Sequence, residues 1–323
     1  MRFPKLPLLG AAALAAILAC GSAFAAWPEK TITIVVPTAP GGANDAMTRV
    51  VGQAMSAILK QPVIVENKAG ANGAIASEFV MRAPPDGYTL MLGYIATHAM
   101  NPSLQKLRYD PVKDFEPVGM IGSSATLMVV APGVRASNAK EVVALLKGSP
   151  DKISYASAGN GTAPHFAAEM FKLATGTSMV HVPYKGSAPA ITDTIGGQTQ
   201  VMFPSLFTAM PYVKSGKLKA VGVAGEKRSA LMPEVPTLKE QGIAGVDVSQ
   251  WYAIFAPAKT PKPVIDQLNK VLNEVLSDKT VVQRLEAHGA EVSTMTSDQL
   301  RTYVQQEQVK WKKVVQAAKL TAD

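Results

Sequence analysis

Cysteine and histidine are scarce in this chain, and their scarcity excludes several kinds of site. The 323 residues include one cysteine, Cys20, and four dispersed histidines. One cysteine cannot form an intramolecular disulfide, and scattered histidines lack the spacing of metal ligands. We therefore predict neither a metal site nor a cofactor. The histidines are His98, His165, His181 and His288.

Sequence motifs that carry enzymatic chemistry are also missing. The chain contains no G-x-S-x-G elbow, no H-E-x-x-H and no G-x-G-x-x-G. Around Lys217, Ser215-Gly216-Lys217 lacks the first glycine and the final Ser/Thr of a P-loop. These absences favour a binding protein over an enzyme. A hydrolase that uses Ser157 or Ser205 with a histidine such as His165 stays open as an alternative.

Long basic runs and long apolar runs are absent from most of the chain. The formal net charge is +8, but the basic residues are scattered, which argues against nucleic-acid binding. Beyond the N-terminal segment, no apolar run has the length of a membrane-spanning helix. A mild positive charge can attract anionic solutes.

The N-terminal segment, residues 1–25, has the pattern of a secretory signal peptide. Arg2 and Lys5 precede an apolar stretch at residues 8–19, and Ala23-Phe24-Ala25 matches the A-x-A cleavage pattern. We predict cleavage after Ala25 and export to the periplasm. A lipoprotein signal that ends at Cys20 is the alternative.

Short apolar runs alternate with helical patterns, which is typical of α/β architecture with largely parallel sheets flanked by helices. The predicted strands are Ile32–Val36, Val63–Glu66, Tyr88–Leu92, Leu127–Val130, Ile153–Ala156, Met179–Val182, Val201–Phe203, Leu218–Val223 and Tyr252–Phe255. The predicted helices include Ala43–Leu59, Ala139–Leu146, Pro164–Thr175, Pro189–Ile195, Pro263–Leu276 and Ser297–Ala318.

The length of the chain exceeds what one core usually holds, and no long linker divides it. We therefore predict two domains between which the chain crosses twice, near residues 117–132 and 219–225. Domain 1 is then split into residues 26–125 and 228–323, and residues 126–227 form an inserted domain 2. Two close crossings make a hinge, and the cleft between domains is a preferred ligand site.

A glycine-rich loop follows the first predicted strand and precedes a helix. Its residues are Pro37-Thr38-Ala39-Pro40-Gly41-Gly42-Ala43-Asn44-Asp45. Backbone N–H groups at a helix start, together with the helix dipole, can hold an anion without a cationic side chain. The alternative is an ordinary strand–helix turn that Asn44 or Asp45 caps.

The predicted strand at 153–156 leads into a second such loop. The sequence reads Ser157-Ala158-Gly159-Asn160-Gly161-Thr162-Ala163-Pro164-His165 before the next helix. Asn160-Gly161 favours a turn, and Thr162 can cap the helix. Two helix starts in different domains can face one ligand across a cleft, although ordinary turn chemistry remains the alternative.

Two shorter segments also end predicted strands. Tyr184 and Lys185 can form a ligand wall, and Thr97-His98 can contact the ligand. For Lys185 the alternative is a solvated lysine, and for His98 it is a structural histidine.

Nine segments in chain order carry a family resemblance. They are PTAPGGANDAMTRV, QPVIVENKAGANGAIASEFV, PPDGYTLMLG, THAMNPSLQKLRYDPVKDFEPVGMI, ISYASAGNGTAPHFAAEMF, VHVPYKGSAPAITDTIGGQ, SGKLKAVGVAGEKRS, PEVPTLKEQG and WKKVV. Together the segments resemble the Bug (Bordetella uptake gene) receptors, the substrate-binding receptors of tripartite tricarboxylate transporters. The resemblance covers nearly all of the chain beyond residue 25.

The resemblance implies a type II periplasmic-binding-protein fold with a ligand between two α/β domains. It implies capture of a small carboxylate without chemistry. We expect a receptor that serves membrane transporter subunits or a membrane sensor, is a monomer by default and binds no nucleic acid. The resemblance maps the ligand site to Thr38, Ala39, Gly41, Gly42, Asn44, Asp45, Thr97, His98, Ser157, Ala158, Gly159, Asn160, Gly161, Thr162, His165, Tyr184 and Lys185. We add Ser205 as a further candidate.

One segment departs from the family pattern. Many relatives read M-F-D-N where this chain reads Met202-Phe203-Pro204-Ser205. A carboxylate and an amide are thus replaced by a proline and a hydroxyl. We predict a ligand without an ammonium group, provided that this position lines the cleft.

Overall fold

The computed structural model describes residues 27–287 and 289–318. The predicted signal peptide, its cleavage site after Ala25, Cys20 and His288 lie outside the described residues. Among those residues, no helix combines the length and the apolar character needed to cross a membrane.

Strands and helices alternate over most of the described chain. The strands are β1 Ile32–Val36, β2 Val63–Asn67, β3 Thr89–Tyr94, β4 Phe115–Ser124, β5 Leu127–Val130, β6 Ser154–Ser157, β7 Val180–Pro183, β8 Val201–Met202, β9 Lys219–Val223, β10 Gln250–Pro257 and β11 Glu291–Val292. The α-helices are α1 Ala43–Leu59, α2 Ala74–Met81, α3 Asn101–Leu104, α4 Ala139–Gly148, α5 Ala163–Thr175, α6 Ser187–Ile195, α7 Leu206–Lys214, α8 Lys262–Ser277, α9 Lys279–Glu286 and α10 Ser297–Ala318. A 3₁₀ turn at Ala71–Gly73 and a π-helical segment at Ala96–Met100 complete the set.

The strands form two sheets, with the order β11-β4-β10-β3-β1-β2 in the first and β7-β6-β8-β5-β9 in the second. β1 pairs in parallel with β2 and β3, and β6 pairs in parallel with β7 and β8. β10, β11, β5 and β9 pair with antiparallel neighbours. The α/β prediction is confirmed, but the sheets are mixed, because strands next to the crossings run against their neighbours.

β1 shows why these residues form a central strand. Ile32, Ile34, Val35 and Val36 are fully buried. β-branched residues fit the pleated sheet, and a strand covered on both faces reads as a continuous apolar run. Helices then pack their apolar faces against the sheet. In α1, for example, Met47 is fully buried.

The first crossing between the sheets is shorter than the sequence indicated. We expected residues 117–132 to form it, but β4 continues through Ser124 and β5 begins at Leu127. This long strand was not predicted because it contains Gly119, Gly122 and two serines, which are not typical of a strand. Pairing with β10 on its flank stabilises β4, and two register shifts accommodate the irregular residues.

The return crossing begins at Ala224, inside the predicted span 219–225, and extends beyond it. Residues 219–223 form β9 within the second sheet, and the chain rejoins the first sheet at Gln250. The two crossings are hydrogen-bonded to each other. The Ala224 N–H donates to the Thr126 carbonyl at 2.8 Å, and the Gln250 amide donates to Thr126 Oγ1 at 3.1 Å. The chain thus passes twice through one narrow region between the sheets.

Candidate functional site

A cleft of about 770 Å³ lies where four loops meet, each of which joins a strand to a helix. Two loops precede α1 and α2, beside the first sheet, and two precede α5 and α6, beside the second. The first N–H groups of each helix lack partners within that helix and carry its positive dipole end. Four such ends border one cavity. The residues of these loops that line it are Pro37, Thr38, Ala39, Pro40, Gly42, Ala69, Gly70, Ala71, Asn72, Gly73, Ala158, Gly159, Asn160, Gly161, Thr162, Pro183, Tyr184, Lys185 and Gly186.

The first loop, residues 37–42, is held by a carboxylate behind it. The Gly41 N–H donates to Asp45 Oδ2 at 3.1 Å, and Arg49 Nε donates to Asp45 Oδ1 at 2.9 Å. Burial by itself raises the pKa of Asp45, but hydrogen bonds from Arg49 and Gly41 outweigh it and lower that pKa. Asp45 is therefore a carboxylate at neutral pH. Its charge is directed at Gly41 and Arg49, while Gly42 lines the cleft.

The second loop, residues 158–162, is held by an imidazole instead. The Gly161 N–H donates to His165 Nδ1 at 3.1 Å. Ser157 Oγ accepts the Gly159 N–H at 3.1 Å and lies 2.6 Å from His181 Nε2. Ser157 is fully buried, and His165 is 9% exposed. The sequence suggested a pair of Ser157 with His165, whereas the structure pairs this serine with His181.

The third loop, residues 69–73, reaches across the cleft and was not among the predicted site residues. Asn72 has a left-handed backbone with φ of 49°. Its amide nitrogen donates to Asn101 Oδ1 at 2.6 Å and to the Gly161 carbonyl at 2.8 Å. The sequence pattern could have predicted this loop. Like the first two loops, Gly70-Ala71-Asn72-Gly73 is a glycine-rich segment between a strand and a helix.

The fourth loop, residues 183–186, supplies the side chains of Tyr184 and Lys185. The Tyr184 hydroxyl donates to Asp193 Oδ2 at 2.7 Å. Burial and that bond raise the pKa of Tyr184 to about 12, so the phenol is neutral. Lys185 is exposed. A Cβ placed on Gly186 would lie 4.0 Å from the Ala39 side chain, so this loop approaches the first loop across the cleft.

Twelve of the eighteen predicted site residues line the cleft. Of four others, Gly41 lies in the first loop without lining the cleft, and Asp45, Ser157 and His165 lie behind the loops and hold them. The residues that line it are Thr38, Ala39, Gly42, Asn44, Ala158, Gly159, Asn160, Gly161, Thr162, Tyr184, Lys185 and Ser205.

The remaining two predicted residues, Thr97 and His98, lie in the interior. Both are fully buried in the π-helical segment. The His98 ring stacks on Phe255 with 3.9 Å between centroids, and burial lowers the pKa of His98 to about 3. Thr97 Oγ1 donates to the Tyr94 carbonyl and lies 2.9 Å from His98 Nδ1. This histidine is a neutral core residue and does not line the cleft.

Strand β10 and helix α7 complete the wall. Gln250 and Tyr252 from β10 line the cleft, as does Ser205. Ser205 Oγ caps α7 by accepting the Thr208 N–H at 3.3 Å. The two strand residues were missed because they come from a strand distant in sequence, which only the sheet order brings to this cavity.

The cleft is nearly uncharged. Among the described residues that line it, none is aspartate, glutamate or arginine, and Lys185 is the single cation. Thr38 Oγ1 and Asn160 Oδ1 are buried without a hydrogen-bond partner in the described part of the chain. Within that part no group of three or more metal-binding side chains is placed to hold a metal ion. Backbone N–H groups, hydroxyls and amides are therefore the donors that a ligand meets.

Comparison with known families matches residues 47–320 to the model of the tripartite tricarboxylate transporter family receptor. The protein BugT of Bordetella pertussis is 34% identical over 291 residues, which is 90% of this chain and 89% of BugT. A protein from the tcbD–tcbE intergenic region of Pseudomonas sp. strain P51 is 32% identical over 92% of this chain and 89% of its own length.

Several solved structures are also similar to this chain over most of its length. The periplasmic binding protein BugD is 36% identical with a TM-score of 0.87, covering 91% of this chain and 99% of BugD. MatC from Rhodopseudomonas palustris, solved with bound malate, is 32% identical with a TM-score of 0.85 over 90% and 100% of the two chains. An R. palustris protein solved with adipate is 29% identical with a TM-score of 0.88 over 91% and 99%.

Proposed function

Because the chain belongs to the tripartite tricarboxylate transporter receptor family, we propose that it is a periplasmic solute-binding protein. It captures a small organic carboxylate in the cleft and delivers it to membrane subunits of such a transporter. The predicted signal peptide supports export, and we propose that the mature receptor begins after Ala25 and acts as a monomer.

The observation that carries this proposal is the convergence of four helix starts on a cleft without acidic side chains. A carboxylate gains hydrogen bonds from first-turn N–H groups and favourable interaction with the helix dipoles. Lys185 adds one exposed charge at the wall. The proteins solved with malate and adipate support the carboxylate class.

The ligand that fits this cleft has no ammonium group. An ammonium needs a carboxylate or several oxygen acceptors, and among the described residues no Asp or Glu lines the cleft. Pro204 cannot replace a carboxylate, and the hydroxyl of Ser205 is used to cap α7. Pro204 itself is not among the residues that line the cleft, whereas Ser205 is, so the prediction of a ligand without an ammonium group rests on the uncharged lining rather than on Pro204.

Closure of two domains on the ligand is the mechanism of capture that we propose. We retain the predicted bounds, with residues 126–227 as the inserted domain. The double passage of the chain at Thr126 and Ala224 supplies a narrow hinge. The hydrogen bond from Asn72 to the Gly161 carbonyl joins loops of the two sheets across the cleft and favours the closed state. A ligand that contacts both sides shifts the population toward that state.

A binding screen tests the proposal. Mature protein is stripped of ligand by unfolding and refolding, and its thermal unfolding is followed with malate, adipate, aspartate and glucose. A ligand at 100 times its Kd adds about 2.7 kcal/mol and raises Tm by several degrees. Isothermal titration calorimetry then gives affinities, and we expect malate or adipate to bind. We expect aspartate to bind less well than malate, from which it differs by an amine in place of a hydroxyl.

Two outcomes would contradict the proposal. Stabilisation by glucose alone would exclude a carboxylate site, and aspartate binding tighter than malate would exclude the ligand class without an amine. A flat response from folded, empty protein to a wider panel of acids would favour a receptor that docks a membrane sensor without closing on a solute.

A further inference from the structure

Three polar residues, two of them buried and one half-buried, lie behind the second loop and do not line the cleft. We call Ser157, His165 and His181 the loop-backing cluster. The His165 and His181 rings stack with 4.4 Å between centroids and 9° between planes. On its other side, His181 stacks on Tyr155 at 4.7 Å. The cluster is thus a fixed stack of rings directly beneath the loop.

The bond from Gly161 requires one protonation state of His165. Nδ1 accepts the Gly161 N–H, so it carries no proton and the proton of the neutral ring lies on Nε2. A second proton would turn Nδ1 into a donor that faces another donor. An imidazolium at this position therefore cannot hold Gly161.

Ser157 fixes the other glycine of the loop. Its Oγ accepts the Gly159 N–H and is 2.6 Å from His181 Nε2. Both glycines have positive φ, +123° at Gly159 and +72° at Gly161, a conformation that glycine adopts without strain and other residues rarely adopt. Asn160 lies between the two fixed residues and lines the cleft.

The charged groups around the cluster do not bond to either imidazole. On α5, both oxygens of Glu169 accept from Lys172 Nζ at 2.9 Å, and Tyr155 of β6 donates to Glu169 Oε1 at 2.5 Å. Burial lowers the pKa of His165, with Glu169 opposing and Lys172 adding to the shift. Burial and the neighbouring His165 lower the pKa of His181 to about 4. Both rings are neutral at pH 7.

Resting on the proposed function, we propose that His165 is a positioning residue for the anion. Its neutral ring, supported by Ser157 and His181, fixes the second loop in the shape that presents Asn160 to the cleft. His165 does not contact the ligand, and its protonation releases the loop and weakens carboxylate binding.

Three variants at one position test this role. In His165→Asn the amide oxygen replaces Nδ1 as an acceptor that does not titrate, whereas His165→Gln places its acceptor farther out and His165→Ala has none. At pH 7.5, with malate and adipate as probes, we expect affinity about tenfold weaker for the Gln and Ala variants, the effect of losing one hydrogen bond. The Asn variant should stay within about threefold of the wild type.

The pH profile separates positioning from packing. As pH falls below 7.5 the wild type should lose more affinity than His165→Asn, and because burial lowers the pKa of His165 the loss should develop below the ordinary value of about 6.5. Comparing the two proteins with the same acid cancels the titration of the acid itself. Equal affinities and equal pH profiles in the wild type and all three variants would overturn the proposal.

An experiment without ligand keeps the test independent of the binding function. In the ligand-free protein, the amide NMR signal of Gly161 should move with pH between 7.5 and 5 in the wild type and stay fixed in His165→Asn. A Gly161 signal that does not respond to pH in the wild type would overturn the proposal. If neither acid binds and Gly161 still titrates, the failure lies with the proposed carboxylate function.

Discussion

The first and second loops use the same position of their helices to hold the same backbone group. Asp45 is the third residue of α1 and accepts the N–H of Gly41, four residues earlier. His165 is the third residue of α5 and accepts the N–H of Gly161, also four residues earlier. Both side chains reach back over the helix start, as in a capping box.

The chemistry of the two acceptors is opposite. Asp45 is charged, and the half-exposed Arg49 compensates it. His165 is neutral, and its ring stacks on that of the half-buried His181. A carboxylate behind the first loop adds negative charge near an anion site, whereas an imidazole adds none. The same loop geometry can thus be held by either of two acceptors. The carboxylate is protonated only in strong acid, whereas the imidazole is protonated in milder acid and then no longer accepts the hydrogen bond.

The largest effect is expected from Gly42→Asp, which places a carboxylate in the cleft at the first loop. Gly42 has an ordinary φ of −87°, and a Cβ there meets nothing within 4 Å. Two like charges a few ångströms apart should weaken malate and adipate binding about a hundredfold. Calorimetry measures this loss, and Tm should not fall because Asp is a good N-cap.

Gly42→Asn is the matched control, since it has the same shape and cap without the charge. It should bind more tightly than the Asp variant by at least about tenfold. Unchanged affinity in Gly42→Asp would mean that the first loop does not face the anion.

The next effect concerns the contact between loops of the two sheets. Asn72→Gly keeps the left-handed backbone and removes the bonds to Gly161 and Asn101. We expect affinity about tenfold weaker, mostly through faster dissociation measured by stopped flow, because the closed state loses its link. Ala71→Gly, at the neighbouring left-handed residue, is the control and should change dissociation little. Equal rates in both variants would contradict a closing role for Asn72.

Mild acid should destabilise the second loop and leave the first loop unchanged. The pKa of His165 lies below its unfolded value, so the folded state binds fewer protons and loses stability as pH falls below about 6.5. The pKa of Asp45 is lowered from 3.8, so its stabilisation persists until pH falls below that value. Between pH 7.5 and 5, amide hydrogen exchange corrected for intrinsic rates should quicken about tenfold at residues 158–162 and stay constant at 37–42. The opposite pattern would overturn the comparison.

The smallest effect is expected at Lys185, because an exposed lysine is solvated and screened. Lys185→Gln should weaken binding about two- to threefold, through a slower association rate at low salt. Lys217→Gln, an exposed lysine that does not line the cleft, is the control. A loss above tenfold would mean that the anion depends on this side chain.

Local patterns in the sequence predicted most of the elements and the first and second loops. The apolar run of β1, the glycines that follow it and the amphipathic pattern of α1 lie next to one another in the chain, so each can be interpreted without knowing the fold. β4 was missed because its glycines and serines resemble a turn, and only pairing with β10 makes it a strand. Gln250 and Tyr252 were missed as site residues because only the sheet order brings their strand, which is distant in sequence, to the cleft.

The site also divides into features that local sequence determines and features that depend on tertiary packing. The sequence by itself determined which segments form strand–loop–helix units, since β-branched runs, positive-φ glycines and helix starts are local properties. Only the tertiary structure decided that His98 is a core residue, that His165 holds a loop from behind, and that Asn72 reaches Gly161. Those roles depend on which groups become neighbours after residues far apart in the chain pack together, and burial then fixes their protonation.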